Sequence, residues 1–468
     1  MSGTPQGAMQ EYQIISALLG AERDFDYKGR VLPESPIEIK NFIGEVVFFE
    51  DITKPYVTAQ IGMLDDLGLI SEVVELQGTE TLKLIISGME REVERQQIEI
   101  ELRVVSIVDQ KKINDKTSIY VINCISKHAY ADALIKLSRS YTGQLENIAE
   151  NVVHDYLDVE VIRDPDYIAE GEASIQGRTK VITPYISPLE TVEWLLERVT
   201  TREGHPFFAW SSVWDQEKNG KDRIRFGSLE TMLKKGKQKA DKDLDFHFFR
   251  TAAGPSGENA KANKQLLYGI KLKNIENTLS MANQGTLGSR LATLDTYTSL
   301  KIDRQFDLQN YINASAKSLG LRNAFENFYD PDDRIEIKKE EKRPSEFPSR
   351  YRNMITSYGT YEWEFGYHDI DGRVDMLQKF SRTVTLSMLN KTKIDFTLSG
   401  YTFLNKEIKT GDLIKISIDS EFVEDKGAAE WNDHSSGYFL IMRLKHVFTD
   451  NKHHVQCTAV KLADLDDI

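Results

Sequence analysis

The sequence has little of what most chemistry needs. Its 468 residues include two cysteines, Cys124 and Cys457. They lie far apart and in no metal-ligand spacing, which excludes a disulfide framework and fits folding in a reducing cytosol. No apolar run reaches the roughly 18 residues that would suggest a membrane-spanning helix. The opening MSGTPQGAMQ carries neither a basic nor an apolar leader region, so no secretory signal is expected. Basic residues are also short, 59 against 73 acidic, for a net charge of −14. That argues against a protein that grips nucleic acid by its phosphates. Acidity either keeps a large protein soluble or makes a surface that DNA passes without sticking, and composition alone does not choose between them.

Catalytic signatures are equally scarce. The glycines form no dinucleotide or phosphate loop, no nucleophile elbow occurs, and no Cys/His pair sits in a protease setting. His453 and His454, with His446 and His434, make the densest histidine group. On strands His446 and His454 would face the same way, but no Asp or Cys completes a ligand set, so solvent-facing edge histidines are expected. The acidic pairs Asp65-Asp66, Asp332-Asp333 and Asp466-Asp467 are sequence neighbours. Strand neighbours point to opposite faces, which is wrong for a general acid and base, so solvated loop charges are expected. Phe207, Phe208, Trp210 and Trp214 suggest a stacking platform for a sugar or base, yet period-two burial in a strand explains them more simply. No enzyme is expected, and no catalytic, cofactor-binding or metal-binding residue is assigned.

What the chain does have is structure. Its length suits roughly two to four domains. Ser187 to Leu229 holds a helix with a full set of start signals: Ser187 as N-cap, Pro188 at the first position, and Glu190 to complete a capping box. Leu189, Val192, Leu196 and Val199 follow at helical spacing. The period then changes to two, with Phe207, Ala209 and Ser211 alternating with Phe208, Trp210 and Ser212. A turn at Asn219-Gly220 leads to a second strand at Arg223–Phe226.

Residues 1–40 are hard to assign. From Ile39 to Ile125 five or more short strands suggest an antiparallel barrel or sandwich. Tyr130 to Leu157 reads as helical in two pieces broken near Gly143. Leu233 to Lys264 looks like a long polar surface excursion, and strands resume at Tyr268–Leu272 and around Thr293–Ile302. The charge run 331–350, with three prolines, reads as a linker. A helix is expected at Asp371–Leu389, and the last hundred residues are β again.

Read in order, these segments resemble the baseplate hub proteins of contractile phage tails, a family related to the hub part of type VI secretion spikes. VVFFEDITKPYVTAQIGMLDDLGLI and GTETLKLIISG (Val46–Ile70, Gly78–Gly88) look like their first tube-domain strands. LSRSYTGQLENIAENVVHDYL (Leu137–Leu157) is similar to their Tyr-Gly step into a helix. The capped helix with Trp194, the aromatic strand and the Ser-Leu ending resemble their middle region, and Lys393–Phe448 their second tube domain. The match spans about residues 40–462.

The resemblance implies an α+β, β-rich fold with two antiparallel β-barrel tube domains flanking a mixed middle: tube domain I over 1–130, a middle region over 131–350 containing the 233–264 excursion and the 331–350 linker, and tube domain II over 351–468. It implies a homotrimer whose paired barrels make a pseudo-sixfold ring, adapting a hexameric tail tube to a trimeric cell-puncturing spike. Implied partners are the spike, tail-tube or initiator proteins, baseplate wedge proteins and the tape-measure protein. DNA would pass through the channel unbound. The implied place is the virion baseplate, after assembly in the host cytoplasm. A related reading is a hub of a type VI secretion system or tailocin. Those spikes often continue into an oligonucleotide-binding fold and a β-helical needle, and the end at Ile468 favours a phage hub. A tail-associated peptidoglycan hydrolase is the reading from another class.

Overall fold

The computed structural model describes residues 10–20, 36–68, 78, 80–88, 97–114, 117–163, 179–201, 205–215, 222–248, 267–274, 278–285, 287–295, 299, 301–307, 335–337, 340–342, 346–347, 349–356, 382, 385–386, 392–418 and 435–463. Seven strands come first: β1 Gln10–Gly20, β2 Ile37–Glu38, β3 Ile43–Asp51, β4 Thr58–Asp65, β5 Thr81–Gly88, β6 Gln97–Lys112 and β7 Ser118–Ser126. Alternation sets their faces. Leu82, Leu84 and Ile86 on β5 oppose Leu102, Ile100 and Ile98 on β6, all buried, while Lys83 and Glu99 pair at 2.9 Å on the other face. β1 lies in the stretch whose pattern is hard to read. A register shift against β5 between Ile14 and Ser16 breaks its period, so Tyr12 and then Ala17 and Leu19 turn inward.

The middle of the chain runs α1 Lys127–Leu134, β8 Ser140–Gly143, α2 Leu145–Leu157, β9 Glu160–Ile162, β10 Thr179–Ile182, α3 Pro188–Leu196, β11 Phe207–Trp210, β12 Arg223–Ser228 and α4 Leu229–Asp243. The break between the first two helices is wider than Gly143 alone, because β8 pairs there with β10. The capping box on α3 is present in both directions: Ser187 accepts from the Glu190 amide, and Glu190 accepts from the Ser187 amide at 2.9 Å. Leu189, Val192, Leu196 and Val199 are buried with α2 in a core of their own.

Then follow β13 Asp245–Phe248, β14 Tyr268–Asn274, α5 Thr278–Gln284, β15 Gly288–Asp295, β16 Lys301–Asp307, β17 Ile335–Ile337, β18 Glu340–Lys342, β19 Arg350–Thr356, β20 Thr392–Ser399, α6 Gly400–Lys406, β21 Leu413–Ile418, β22 Gly437–Thr449 and β23 Lys452–Ala463. Two expectations need correction. The polar excursion 233–264 begins as helix and strand. α4 buries Met232, Leu233 and Ala240 beneath its lysines, and its Gly236 sits so close to Leu413 that an added Cβ would lie 2.6 Å from that side chain. β13 pairs in parallel with β21 and buries Phe246 completely. Lysine count hid a helical apolar stripe. The linker 331–350 contains the antiparallel pair β17–β18 and the first residue of β19. The remainder of the excursion, the turn at Asn219-Gly220 and nearly all of the helix expected at 371–389 lie outside the described residues.

Thirteen strands form one sheet in the order β13-β21-β22-β3-β4-β7-β6-β5-β1-β23-β20-β14, with β2 on β1 and a further pairing of β22 with β23. That last pairing closes a circuit. From β22 the ladder passes through β3, β4, β7, β6, β5 and β1 to β23, which returns to β22. The long C-terminal hairpin therefore serves both ends of the chain. Gly437–Leu440 of β22 pairs with β21, and Arg443–Thr449 pairs with β3. The handover falls at a register shift between Ile441 and Arg443, a bulge that bends the strand between two partners. β23 likewise pairs with β20 over His454–Val460 and with β1 at Lys452 and His453. The turn joining them is Asp450-Asn451, both at positive φ (50° and 58°). That conformation suits a tight two-residue hairpin, and Asn and Asp tolerate it. Beneath this sheet a single apolar core holds residues from Tyr12 to Ala459.

Candidate functional site

The most organised cluster of polar groups lies where three parts of the chain meet. Glu50, near the end of β3, is buried, and its carboxylate is fully engaged. Oε1 accepts from the Val213 amide at 3.0 Å, Ser212 Oγ at 3.3 Å and His446 Nε2 at 3.2 Å. Oε2 accepts from Thr410 Oγ1 at 2.7 Å. One side chain from the N-terminal strands thus holds the segment after β11, the segment after α6, and β22. Burial alone would raise the Glu50 pKa. The hydrogen bond and field of His446, with the Val213 amide and Thr410 hydroxyl, hold it below the ordinary carboxylate value.

A second joint ties the N-terminal strands to the middle region. His128, at the start of α1, is buried. Its Nε2 donates to the Pro55 carbonyl at 2.7 Å, and its Nδ1 meets Asp222 Oδ2 at 2.5 Å. Asp222 Oδ2 also accepts from the His128 amide at 3.2 Å. Pro55 is held again by Ser211 Oγ at 3.1 Å. Close by, Arg225 grips the buried Asp215 with Nε and Nη2, while Asp215 Oδ2 accepts from the Ser212 amide at 3.1 Å. Each of these buried carboxylates is occupied in holding segments together, which leaves none poised as an acid or base.

The aromatic strand works between two cores. Phe207 and Ala209 point into the middle core with α2 and α3, whereas Phe208 and Trp210 point into a third cluster with Leu413, Tyr438 and Leu440 of the C-terminal strands. Period-two burial holds, but both faces are buried. Gly411, at φ 86°, sits against the Trp210 indole, where a Cβ would come within 3.2 Å. Trp214 stacks on Phe403 at 5.3 Å and donates Nε1–H to the Ile408 carbonyl at 3.1 Å. These side chains are core and not a ligand platform.

The histidines correct the sequence reading most directly. His446 and His453 are 0 % exposed and His454 is 4 % exposed, so they are not solvent-facing edge residues. His446 also does not share a face with His454. In the β22–β23 register His446 opposes Val455 and Phe448 opposes His453, which puts His446 and His453 on the inner face, their rings 6.2 Å apart. The tight turn at Asp450-Asn451 sets that register. His434 lies outside the described residues. Among the described residues no group of three or more His, Cys, Asp or Glu is placed to hold a metal. Asp65 is likewise not a solvated loop charge: it is buried and accepts from the Leu67 amide at 3.2 Å. Both cysteines are buried free thiols; burial pushes Cys124 up to about 12 and Cys457 upward as well, so neither is a ready nucleophile.

On the outer face of the shared sheet a concavity of about 690 Å³ carries Asp51, Arg443, Lys445, Asp395 and Lys271. Arg443 pairs with Asp51 at 2.6 Å, and Lys445 lies over the Phe49 ring. Its charged side chains carry both signs among apolar neighbours such as Phe49, Tyr56 and Phe396. Among the described residues no helix is long and apolar enough to cross a membrane.

No protein-family model and no curated protein matches the sequence. Solved structures do. The chain is similar to a tail protein from Neisseria meningitidis MC58, with 9% identity over 96% of this chain and 97% of that one, TM-score 0.46. It is similar to the 43 kDa tail protein of prophage MuSo2 from Shewanella oneidensis, with 10% identity over 95% and 98%, TM-score 0.46. It is also similar to an E. coli type VI secretion component with structural similarity to T4 bacteriophage tail proteins, with 8% identity over 96% and 76%, TM-score 0.40. These structural neighbours are tail and type VI secretion proteins. At these identities and TM-scores the likeness concerns shape and says nothing of activity.

Proposed function

We propose that this chain is a structural baseplate hub of a contractile phage tail. Three copies form a pseudo-sixfold ring that adapts a hexameric tail tube to a trimeric spike and surrounds the channel through which DNA leaves. The observation that supports this reading is the shared hairpin. β22 and β23 bond to strands from both ends of the chain, so the N-terminal and C-terminal strands share one sheet and contribute to one apolar cluster. A subunit that must fill two adjacent positions of a six-position ring needs such a fixed lateral relation. The polar joints at Glu50 and His128 act in the same direction, fastening the middle region to both modules. Their carboxylates brace the framework, and the net charge of −14 suits a wall that must not hold a sliding duplex.

Light scattering tests the proposal. The full chain should behave as a trimer, alone or with its spike, and a stable monomer under both conditions would contradict it. A zymogram on cell-wall substrate separates this function from peptidoglycan hydrolysis: no clearing is expected, and lysis by the purified chain would overturn the structural reading.

A further inference from the structure

His453 is the one side chain at the junction that no structural role yet explains. It is the second residue of strand β23, just after the Asp450-Asn451 turn, with no exposed surface. Neither ring nitrogen has a hydrogen-bond partner among the described residues, although one nitrogen always carries a proton. Its ring stacks on Phe448 at 3.9 Å with planes 7° apart and stands edge-on to Phe403 at 5.9 Å. Gly400, at the start of α6, is so close that an added Cβ would lie 2.3 Å from His453 Nδ1. An aliphatic or phenyl group would fill this slot without the desolvation cost of two unpaired polar atoms. The imidazole is tolerated there only while neutral.

The charged and titratable neighbours are few. From β22 comes His446, whose Nδ1 is also without a partner and whose Nε2 is committed to Glu50 on β3. From β1 come Tyr12, whose ring meets Phe448 at 5.0 Å, and Glu11, which pairs with Lys452 in the ladder. From β23 itself come Cys457 and, next in sequence, His454. Lys445 acts on His454. α6 meets the ring with Gly400 and Phe403; of its titratable residues, Lys406 lies over the Phe246 ring and Tyr401 follows Gly400 in sequence. Among the described residues no carboxylate bonds to His453, so a proton added there would be an unpaired buried charge.

We propose that His453 is an acid-sensitive latch: protonation drives its ring out of the slot between Phe448, Phe403 and Gly400 and releases α6 from the β22–β23 hairpin. The release would travel by contact. Phe403 also packs on His446 at 4.4 Å and on Trp214 at 5.3 Å, so leaving the slot unseats the stack that joins the middle region to the C-terminal strands. This device does not depend on the hub reading. Burial and the fields of His446 and His454 hold the His453 pKa well below 6.5, so the latch is shut at neutral pH and opens on the acid side.

Hydrogen exchange on the full chain, corrected for intrinsic rates and followed from about pH 8 to about pH 5, tests it. Peptides from β22, β23 and α6 should lose protection by at least about tenfold in acid while those from α2 and α3 keep theirs. His453→Phe, with His453→Leu as the alternative should the first not fold, should hold protection to a pH at least about one unit lower. His454→Gln should behave like the parent chain. Unchanged protection in the parent, simultaneous loss in α2 and α3, the same midpoint in the His453 variant, or a response that vanishes in His454→Gln would each overturn the proposal.

Discussion

Two joints built on buried histidines hold this molecule together, and they do so on different terms. His128 has a partner for both nitrogens, the Pro55 carbonyl and Asp222, so its joint is complete. At the other joint the partnership is uneven. Glu50 has four donors, His446 is half satisfied, and His453 has none. A complete network rigidifies, while an unpaired polar group stores a penalty that a change of charge can release. The contrast separates a fixed weld between the N-terminal strands and the middle region from a conditional one at the C-terminal hairpin.

Breaking each joint ranks them. Glu50→Ala strands four donors and should lower unfolding stability by about 4 kcal/mol, measured by urea denaturation; a loss below about 1 kcal/mol would mean that packing alone holds the junction. His128→Ala removes the imidazole from the buried Asp222 carboxylate and the Pro55 carbonyl and should cost about 3 kcal/mol, with the damage in hydrogen exchange confined to α1 and β12. Gly400→Ala drives a methyl into His453 and should cost about 2 kcal/mol. A neutral result would show that the slot is looser than the geometry indicates. Acid sharpens the contrast. Because the His453 and His454 pKa values are lowered, stability is full above their ordinary 6.5 and falls below it, by up to about 1.4 kcal/mol per pH unit for each group. Glu50, also lowered, adds its loss as pH falls below its ordinary 4.5. A denaturation series showing no decline below pH 6.5 would contradict this. Ser187→Ala, which belongs to neither joint, should cost only about 1 kcal/mol through the lost cap, read as a small drop in melting temperature.

Local signals were legible in the sequence where a single period governed. The α3 capping box, the β5 and β6 alternation and the β-rich ends appear as expected. Two superposed demands hid the rest. α4 carries its apolar stripe under a coat of lysines, and β1 is split by a bulge. The histidines read as edge residues because no local rule shows that β22 and β23 are covered by α6 and β3, partners drawn from opposite ends of the chain. The joints themselves are long-range, Glu50 to His446 most of all, and spacing carries no trace of such a contact. The β11 aromatics were legible as core, but not that their two faces serve different cores.

If one chain supplies two laterally fixed β modules to a ring, the ring itself should be visible. A low-resolution density map of the assembled protein, alone or bound to its spike, tests it most directly. Three copies should form a ring of six similar lobes around a channel wide enough for duplex DNA. A compact particle with no channel would contradict it.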